Sequence, residues 1–461
     1  ALLGVRGVQL LRDAVPAWMA RGAPGWDGIG VDGPTLGYTL VVTILTGLVF
    51  GLAPALHAVR VDLAGVLRDG SRGATGRRTA RTQRVLVTAE IALAVMLLAS
   101  AGLLVRSFIG LAGAESGFGV DGVLTLQVAL PAAQYDDPGE VVAFEDRLLE
   151  RVRALPGVRE AGLVSHLPMS RTGARRKFRV ADSPVEWADW RPASRGYISA
   201  LGIPLLRGRD FTIADREGAP RVAIVSRALE RRHFPDGGAL GARLEVDGEA
   251  WEIVGVVGDV AHYGPRFGRP ATIYVPHAQA PPLEAFVVVR AEGEPAALAG
   301  SVRREVAALD RSVAVARVSA MEEVVADFQA RERLMAVLLT LFAALAVGIA
   351  AIGLYAVVAY AVERRRHEFG IRIALGARAG DVVRVIARWV LVPVAVGTTL
   401  GLLGSLGIAQ GLARMLYGVS PTDPTVLAAT ALVLVATVVV AGAVPTRRAL
   451  ASDPAATLRE E

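Results

Sequence analysis

Five stretches of the chain are almost entirely apolar, and a long polar block separates the second stretch from the third. The apolar stretches cover residues 36–56, 85–105, 334–362, 389–412 and 426–444. Each matches the roughly 20 apolar residues that a helix needs to cross the hydrocarbon core of a bilayer. A buried helix of a soluble core could account for one such run but not for five. The pattern therefore predicts a helical membrane protein whose polar block, residues 110–330, folds on one side of the membrane.

The two ends of the polar block show the same order of strand, helix and strand. At the first end, the β-rich runs Val123–Leu130 and Val158–Val164 flank apolar positions from Phe144 to Leu155 that recur on one helix face. The second end repeats this order with the strand Phe286–Arg290, a helix that Pro295 opens, and the strand Val313–Val318. Together the two units predict one α+β subdomain that is split in the sequence.

The middle of the block, about residues 170–280, reads as a β-rich lobe inserted into this subdomain. A short helix over Ser226–Phe234 begins with a serine in the N-cap position. The predicted strands are Val222–Val225, Arg243–Val246, Trp251–Val257 and Thr272–Val275.

Composition and charge support the membrane interpretation and orient the chain. Hydrophobic residues make up 53% of the 461 residues, which exceeds the usual share in soluble domains, and the formal net charge is +6. Arginines cluster in 60–84, 364–388 and 447–448, next to span ends, as the positive-inside bias predicts for cytoplasmic segments. The polar block is then extracytoplasmic. The basic balance therefore indicates membrane topology rather than a nucleic-acid partner.

Candidate catalytic residues do not form a recognisable site. The chain has no cysteine, which excludes thiol chemistry, and its histidines show no metal-ligand spacing such as H-E-x-x-H. No G-x-S-x-G motif occurs. Ser165 and His166 are adjacent, so on a strand they would point to opposite faces. We expect the histidines to lie at the solvated surface, no metal or catalytic residue, and no enzymatic role.

The two ends of the chain resemble each other without gaps, with Pro54 aligned to Pro445. Aspartates align outside the apolar runs as well, Asp32 with Asp423 and Asp62 with Asp453. Long repeats in membrane proteins usually reflect duplicated spans. Residues 1–70 are therefore expected to be the tail of a preceding copy with one full span, and 71–84 a basic cytoplasmic linker to a complete second copy.

A basic loop follows the third apolar stretch, and it also contains regularly spaced apolar residues and glycines. Residues 363–378 combine arginines with apolar residues four apart, such as Phe369 and Ile373, and with two glycines, Gly370 and Gly376. A positive-inside anchor accounts for Arg364–Arg366 only. A short amphipathic helix that docks a cytoplasmic partner accounts for the whole pattern.

This loop resembles that of the MacB/FtsX-like ABC permease family, whose pattern runs R-R-x-E-I-G-I-R-x-A-L-G-A. The matching residues are Arg365, Arg366, Glu368, Gly370, Ile371, Arg372, Ala374, Leu375, Gly376 and Ala377, with Phe369 at the usual Ile. The polar block is similar to the periplasmic core domain of that family in the runs 197–204, 208–211, 221–226 and 253–259. The resemblance covers about residues 80–461.

The resemblance implies a helical membrane permease with a large extracytoplasmic α+β domain. Its permease domain would be 334–461, with three spans, and the loop from Arg365 to Gly376, Phe369 included, would couple it to an ATPase. The implied partners are a cytoplasmic ABC ATPase, a second permease copy in the same or a longer chain, and a periplasmic adaptor or outer-membrane protein. The implied location is the bacterial inner membrane.

The source of energy is expected to lie in another subunit. The only lysine, Lys177, is not part of a Gly-Lys-Ser/Thr sequence, so no P-loop exists in this chain. ATP and Mg²⁺ would bind to the partner, and this chain would need no cofactor. A membrane-anchored sensor or scaffold without an ATPase remains the main alternative, and an anchored enzyme is a third.

Inside the spans, glycines are the candidate contacts between helices. Gly397, Gly401 and Gly404 recur at three- and four-residue steps, a spacing that lets helices pack closely. Glu90 is the one carboxylate well inside an apolar stretch, and its proximity to Arg84 in the sequence favours an interfacial ion pair.

Overall fold

The structure, a computed structural model, describes residues 32–59, 74–170, 173–181, 183–364, 379–412 and 416–450. These residues form two compact units, which we treat separately. The membrane unit comprises the described residues of 32–110 and 332–450, and the outside block comprises the described residues of 111–331.

The described helices and strands are numbered along the chain. The helices are α1 Gly33–Val59, α2 Ala74–Ala112, α3 Pro138–Arg153, α4 Tyr197–Ala200, α5 Arg227–His233, α6 Pro295–Leu309, α7 Met321–Arg364, α8 Ala379–Leu412 and α9 Pro424–Leu450. The strands are β1 Val123–Ala129, β2 Val158–Val164, β3 Ala174–Val180, β4 Glu186–Ala193, β5 Leu205–Gly208, β6 Val222–Ser226, β7 Arg243–Val246, β8 Glu249–Val257, β9 Thr272–Pro276, β10 Glu284–Ala291 and β11 Ala314–Ala320.

Within the described residues, 4 helices are long and apolar enough to cross a membrane. The stretches are Arg84–Ala112, Met321–Tyr360, Leu391–Gly411 and Pro424–Val444. Each overlaps one of four predicted spans, and the first two extend beyond the predicted 85–105 and 334–362 because the helices continue into the polar block. In α1 the described apolar stretch is the shorter Gly33–Leu45, so a full span over 36–56 stays a prediction.

The split subdomain predicted for the ends of the polar block is confirmed. The strands from the two ends pair in the antiparallel order β11-β1-β10-β2, so the sheet interleaves the two sequence-distant units. Helices α3 and α6 cover one face of this sheet, burying Phe144 and Leu148 from the first helix and Val302 and Val306 from the second. Pro295 occupies the first turn of α6, as predicted.

The inserted lobe is a small closed barrel, which its sequence did not reveal. The strands pair around a ring in the order β4-β3-β7-β8-β6-β9, and a parallel pairing between β4 and β9 closes it. Trp190, Trp251, Phe178 and Val225 belong to the apolar core inside it. The predicted strands of the lobe are confirmed, and so is α5, whose N-cap Ser226 accepts a hydrogen bond from Leu229 N.

A second apolar core lies where the barrel meets the split subdomain. The direct strand contact there is one residue pair, Val164 opposite Ala193. Side chains join the two parts instead: Tyr197 and Ile198 of α4, Val288 of the sheet and Met321 at the start of α7 share this core.

Two expectations about polar residues of the outside block are wrong. Ser165 lies beyond the end of β2, so strand alternation does not apply, and its Oγ lies 3.0 Å from His166 Nδ1. Nor do all the histidines of the block lie at the surface. His262 and His277 are buried, because each sits among strands and helices that a sequence alone does not bring together.

Candidate functional site

The predicted ATPase-coupling loop lies outside the described residues. Helix α7 ends at Arg364 and α8 begins at Ala379, on either side of the loop. The loop residues so placed are Arg365, Arg366, Glu368, Phe369, Gly370, Ile371, Arg372, Ala374, Leu375 and Gly376. Their role in coupling stays a prediction.

The predicted glycines of α8 lie against α2. A Cβ atom on Gly397 would come within 2.8 Å of Thr88 O, and one on Gly401 within 2.6 Å of Val95 Cβ. A Cβ on Gly404 would collide with Met96. At Gly397 and Gly401, where a Cβ would meet backbone or Cβ atoms, only glycine admits the neighbouring helix at this distance, whereas at Gly404 the flexible end of Met96 could move aside.

The later glycines of α8 do not share these contacts. Among the described residues, no atom lies within 4 Å of a Cβ added at Gly407 or Gly411. Within that part of the chain, the structure therefore separates glycines that a helix approaches from glycines without a close neighbour. Whether the close approach matters for activity stays a prediction.

Helix α2 contacts the other long membrane helices through one apolar cluster. Val87, Ile91 and Val95 of α2 share this cluster with Leu354 of α7 and Leu434 of α9. Glu90 lies on the same helix, and its Oε2 is buried without a hydrogen-bond partner in the described part of the chain. A Cβ on Gly353 of α7 would collide with this carboxylate, so α7 passes close to it.

The outer ends of α2 and α9 are tied by polar contacts. Arg106 Nε lies 3.2 Å from Asp423 Oδ2, and the hydroxyl of Ser107 accepts a hydrogen bond from Tyr417 N at 2.7 Å. The other oxygen of Asp423 accepts hydrogen bonds from Thr425 N and Oγ1, in the manner of a helix N-cap. The Thr425 hydroxyl, chiefly, holds the pKa of Asp423 below its ordinary value.

The aspartate aligned with Asp423 in the internal repeat makes a similar contact. Asp32 Oδ1 accepts a hydrogen bond from Thr35 N at 2.9 Å at the start of α1. The Thr35 side chain is also the main cause of the lowered pKa of Asp32. The aligned aspartates thus both cap the first turn of an apolar helix.

In the outside block, the segment that follows α2 is bound to the inserted lobe. We call residues 113–122 the first connecting segment. Ser116 O accepts a hydrogen bond from Ala261 N at 2.9 Å, and Glu115 O accepts one from Arg269 Nη2 at 2.9 Å. Gly117 has φ +81°, and a Cβ there would collide with Asp259 O, so this approach requires glycine.

The start of α7 is bound to the same neighbourhood. Met321 is fully buried in the core between barrel and split subdomain, and Val324 and Val325 pack against it. Glu322 Oε1 accepts a hydrogen bond from Gly122 N, at the end of the first connecting segment, at 3.1 Å. The first connecting segment and the start of α7 are therefore hydrogen-bonded to each other and packed in one part of the outside block.

A buried polar cluster lies in the lobe beside this core. Arg191 is buried, with Nη2 3.5 Å from Asp189 Oδ2, and it donates a hydrogen bond to His166 O. His262 Nε2 lies 3.2 Å from the hydroxyl of Tyr274. Burial, chiefly, lowers the pKa of His262 well below its ordinary value, so its imidazole is neutral.

Two other histidines of the block contact side chains of other elements. His277 Nε2 lies 3.1 Å from Asp146 Oδ1, and this bond is the main cause of the lowered pKa of Asp146. The ring of His233 stacks edge-on against Phe178. Within the described residues no group of three or more His, Asp or Glu side chains is placed to hold a metal ion.

Sequence reasoning did not single out Gly117, Met321 or the Arg106–Asp423 pair. Signals existed for two of them. Gly117 is the first glycine of a Gly-Phe-Gly run directly after an apolar stretch, and Asp423 precedes a proline and an apolar run, the usual place of an N-cap.

Comparison with known proteins finds matches over both units. Residues 85–325, more than half of the chain, match the sequence model of the MacB-like periplasmic core domain. Residues 340–454 match the FtsX-like permease C-terminal domain.

Individual relatives are distant and longer than this chain. The macrolide export ATP-binding/permease protein MacB of Chromobacterium violaceum is 24% identical over 280 residues, covering 59% of this chain and 40% of that protein. The uncharacterized ABC transporter permease YvrN of Bacillus subtilis is 27% identical over 231 residues, covering 46% and 56% respectively. The chain thus spans about half the length of these curated relatives.

Among solved structures, the periplasmic region of MacB from Actinobacillus actinomycetemcomitans superposes with a TM-score of 0.31. The sequences are 12% identical, and the match covers 44% of this chain and 90% of that one.

Proposed function

The chain belongs to the MacB/FtsX-like ABC transporter permeases, and from that premise we propose that it transmits ATPase-driven motion across the membrane to its outside block. The motion would serve export or the activation of an extracytoplasmic partner. This chain would supply the moving parts and a separate subunit the hydrolysis.

One observation carries the proposal: α7 contributes to two cores as a single helix. Its first residue, Met321, belongs to the core of the outside block, and Leu354 and Val358 belong to the core of the membrane unit. At 44 residues it is long enough to reach about 65 Å along its axis. A helix that packs in both places is suited to pass displacement from one to the other.

The cytoplasmic end of α7 leads directly into the proposed coupling loop. We propose that an ABC ATPase docks on the loop from Arg365 to Gly376 and pulls on α7 and α8 as it closes on ATP and Mg²⁺. Arginines would pair with acidic residues of the ATPase, while Ile371 and Leu375 would fill an apolar groove. The loop glycines would allow close approach.

The glycine contacts of α8 provide a second route, besides α7, by which displacement would reach the outside block. Because Gly397 and Gly401 bring α8 against α2, displacement of α8 would also move α2 and the first connecting segment. That segment is hydrogen-bonded to the lobe through Ser116 and Glu115. We propose that both routes converge on the barrel.

We further propose the partners and the location. The chain would act in the bacterial inner membrane with a second permease copy, which the repeat at its two ends suggests is part of the same or a longer polypeptide. A periplasmic adaptor or outer-membrane protein would be the partner of the outside block in an export system.

The test is purification of the tagged full chain from its native membrane, followed by identification of bound subunits and measurement of Mg²⁺-dependent ATPase activity. We expect an ATP-binding subunit to co-purify, and the double variant Arg372→Asp with Gly376→Asp to lose it. A matched control places the same substitutions at Arg303 and Gly300, two exposed positions of α6 in the outside block. Retention of the ATPase by the loop variant would contradict the coupling role, and a chain without any ATPase would favour the sensor interpretation.

A further inference from the structure

A cavity of about 550 Å³ opens in the outside block beside the first connecting segment. One wall is that segment, and another is the start of α5. The residues that line it include Arg227, Arg231 and Arg269, together with the apolar residues Phe118, Pro204 and Leu206. A space lined by both arginines and apolar residues suits an amphiphilic anion.

The two carboxylates of the cavity are already engaged. Asp259 accepts a hydrogen bond from Ala228 N, and its other oxygen lies 2.9 Å from Arg231 Nη2. Glu115 Oε2 lies 3.9 Å from Arg269 Nη2, although its side chain is 92% exposed.

Arg227 is the cation of the cavity that remains for a ligand. In the described part of the chain, neither a carboxylate nor a carbonyl oxygen pairs with its guanidinium, whereas Arg231 and Arg269 both have partners. Guanidinium groups bind phosphate oxygens through paired N–H donors, and such charge-assisted bonds are about twice as strong as neutral ones.

The cavity is close in sequence to the apolar helix α2. Glu115 is three residues beyond Ala112, the last residue of α2. Three residues reach at most about 11 Å. A lipid phosphate is therefore one of the phosphate sources that the test must include.

We propose that this cavity binds the phosphate group of an amphiphilic phosphate ester, with Arg227 as the principal contact and with Phe118, Pro204 and Leu206 against the ester's apolar part. A phospholipid headgroup of the outer leaflet and a soluble phosphate ester share this chemistry. A ligand here bridges the first connecting segment to α5 of the lobe, and its binding requires no ATPase.

The test uses the full chain in a phosphate-free maltoside detergent, titrated calorimetrically at fixed ionic strength with two probes. One probe is sn-glycerol 1-phosphate and the other is dihexanoyl phosphatidylglycerol. We expect saturable binding of at least the lipid probe, weakened about ten- to hundredfold by Arg227→Gln. Arg303→Gln, which removes an exposed helical arginine away from the cavity, serves as the matched control.

The two probes distinguish the sources of the phosphate. Tighter binding of dihexanoyl phosphatidylglycerol assigns the site to membrane lipid, and equal binding of the two probes assigns it to soluble esters. The proposal is overturned if neither probe saturates, or if Arg303→Gln weakens binding as much as Arg227→Gln. An unchanged melting temperature of both variants shows that folding does not explain the difference.

Discussion

The outside block and the membrane unit bury their apolar residues in different ways. In the outside block, Trp251, Tyr197, Phe144 and similar large side chains are fully enclosed by the block's own strands and helices. In the membrane unit, 44% of the span in α2 is buried, against 17–22% for the spans in α7, α8 and α9. The outside block completes its own core, whereas the described membrane helices converge on α2 and leave apolar faces for lipid or further helices.

This difference in packing indicates how each region would move. A block with closed cores moves as a whole when its attachment points move. Helices with one packed face and one lipid face can shift without a large loss of buried area, since lipid replaces the lost contacts. The glycine contacts on α2 are then the places where such shifts are constrained.

The difference in burial between the two regions is tested most strongly by truncating one large side chain in each region. Trp251→Ala should lower the free energy of unfolding of the outside block by about 3–5 kcal/mol, because it opens a cavity inside the barrel. Leu432→Ala on α9, where the side chain is 71% exposed, should change stability by less than about 0.5 kcal/mol. Denaturant unfolding of the full chain, followed by near-UV circular dichroism, measures both. Equal losses would contradict the contrast between the regions.

The convergence of the membrane helices on α2 is tested by placing a large side chain where a glycine of α8 contacts α2. Gly401→Ile should destabilise the membrane unit by about 1–3 kcal/mol and reduce ATPase-coupled activity, since the added side chain meets Val95 and Ala92 O. Gly407→Ile, six residues on and without a close neighbour among the described residues, is the matched control. Thermal denaturation in detergent and ATPase stimulation are the readouts. A Gly407 variant as impaired as the Gly401 variant would show that any bulky residue in α8 is harmful.

The buried histidine predicts a pH dependence of the outside block. His262 has a folded-state pKa well below its unfolded value of 6.5, so the unfolded chain binds more protons below that pH. Stability is therefore full above pH 6.5 and falls as the pH drops, by at most about 1.4 kcal/mol per pH unit from this group. His262→Gln should flatten this slope in unfolding curves measured from pH 7.5 to 5. An unchanged slope would mean that His262 is not the group responsible.

The smallest effect is expected at the outer end of the membrane unit. The pKa of Asp423 is lowered from 3.8, so its contribution is present above that pH and is lost as the pH falls through the lowered value. Asp423→Asn should lower the melting temperature slightly at neutral pH and have less effect in acid. A difference that stays constant with pH would indicate that the cap and the Arg106 pair do not depend on the charge.

Local sequence patterns predicted most of the helices and strands of the outside block, but not that six of the strands close into a barrel. Strands such as Val158–Val164 and the helix opened by Pro295 were predictable because their apolar residues are periodic and their ends carry turn residues. The sequence 174–180, with four basic residues, does not read as a strand, yet β3 pairs with β4 and β7. The barrel closes through β4 and β9, whose pairing joins Asp189 to Thr272, and no local signal encodes a contact so distant in sequence.

The candidate site was predictable only in part for the same reason. The glycines of α8 were evident from their spacing, but which of them meet α2 depends on tertiary packing. The burial of His262 and His277 likewise depends on neighbours from other elements, so a scattered pattern in the sequence misled the interpretation. Gly117 gave a weak signal because a single glycine after a span has many explanations.

The most direct test of motion across the membrane is a distance measurement. The chain has no cysteine, so spin labels at Leu240→Cys in the lobe and Ser420→Cys in the membrane unit would be the only ones present. In the complex with the proposed ATPase, pulsed electron resonance should show a shifted distance distribution on addition of ATP, Mg²⁺ and vanadate, and no shift in the Arg372→Asp, Gly376→Asp variant. If nucleotide leaves the distance distribution unchanged in the labelled chain that keeps Arg372 and Gly376, the transmission of motion to the outside block is contradicted.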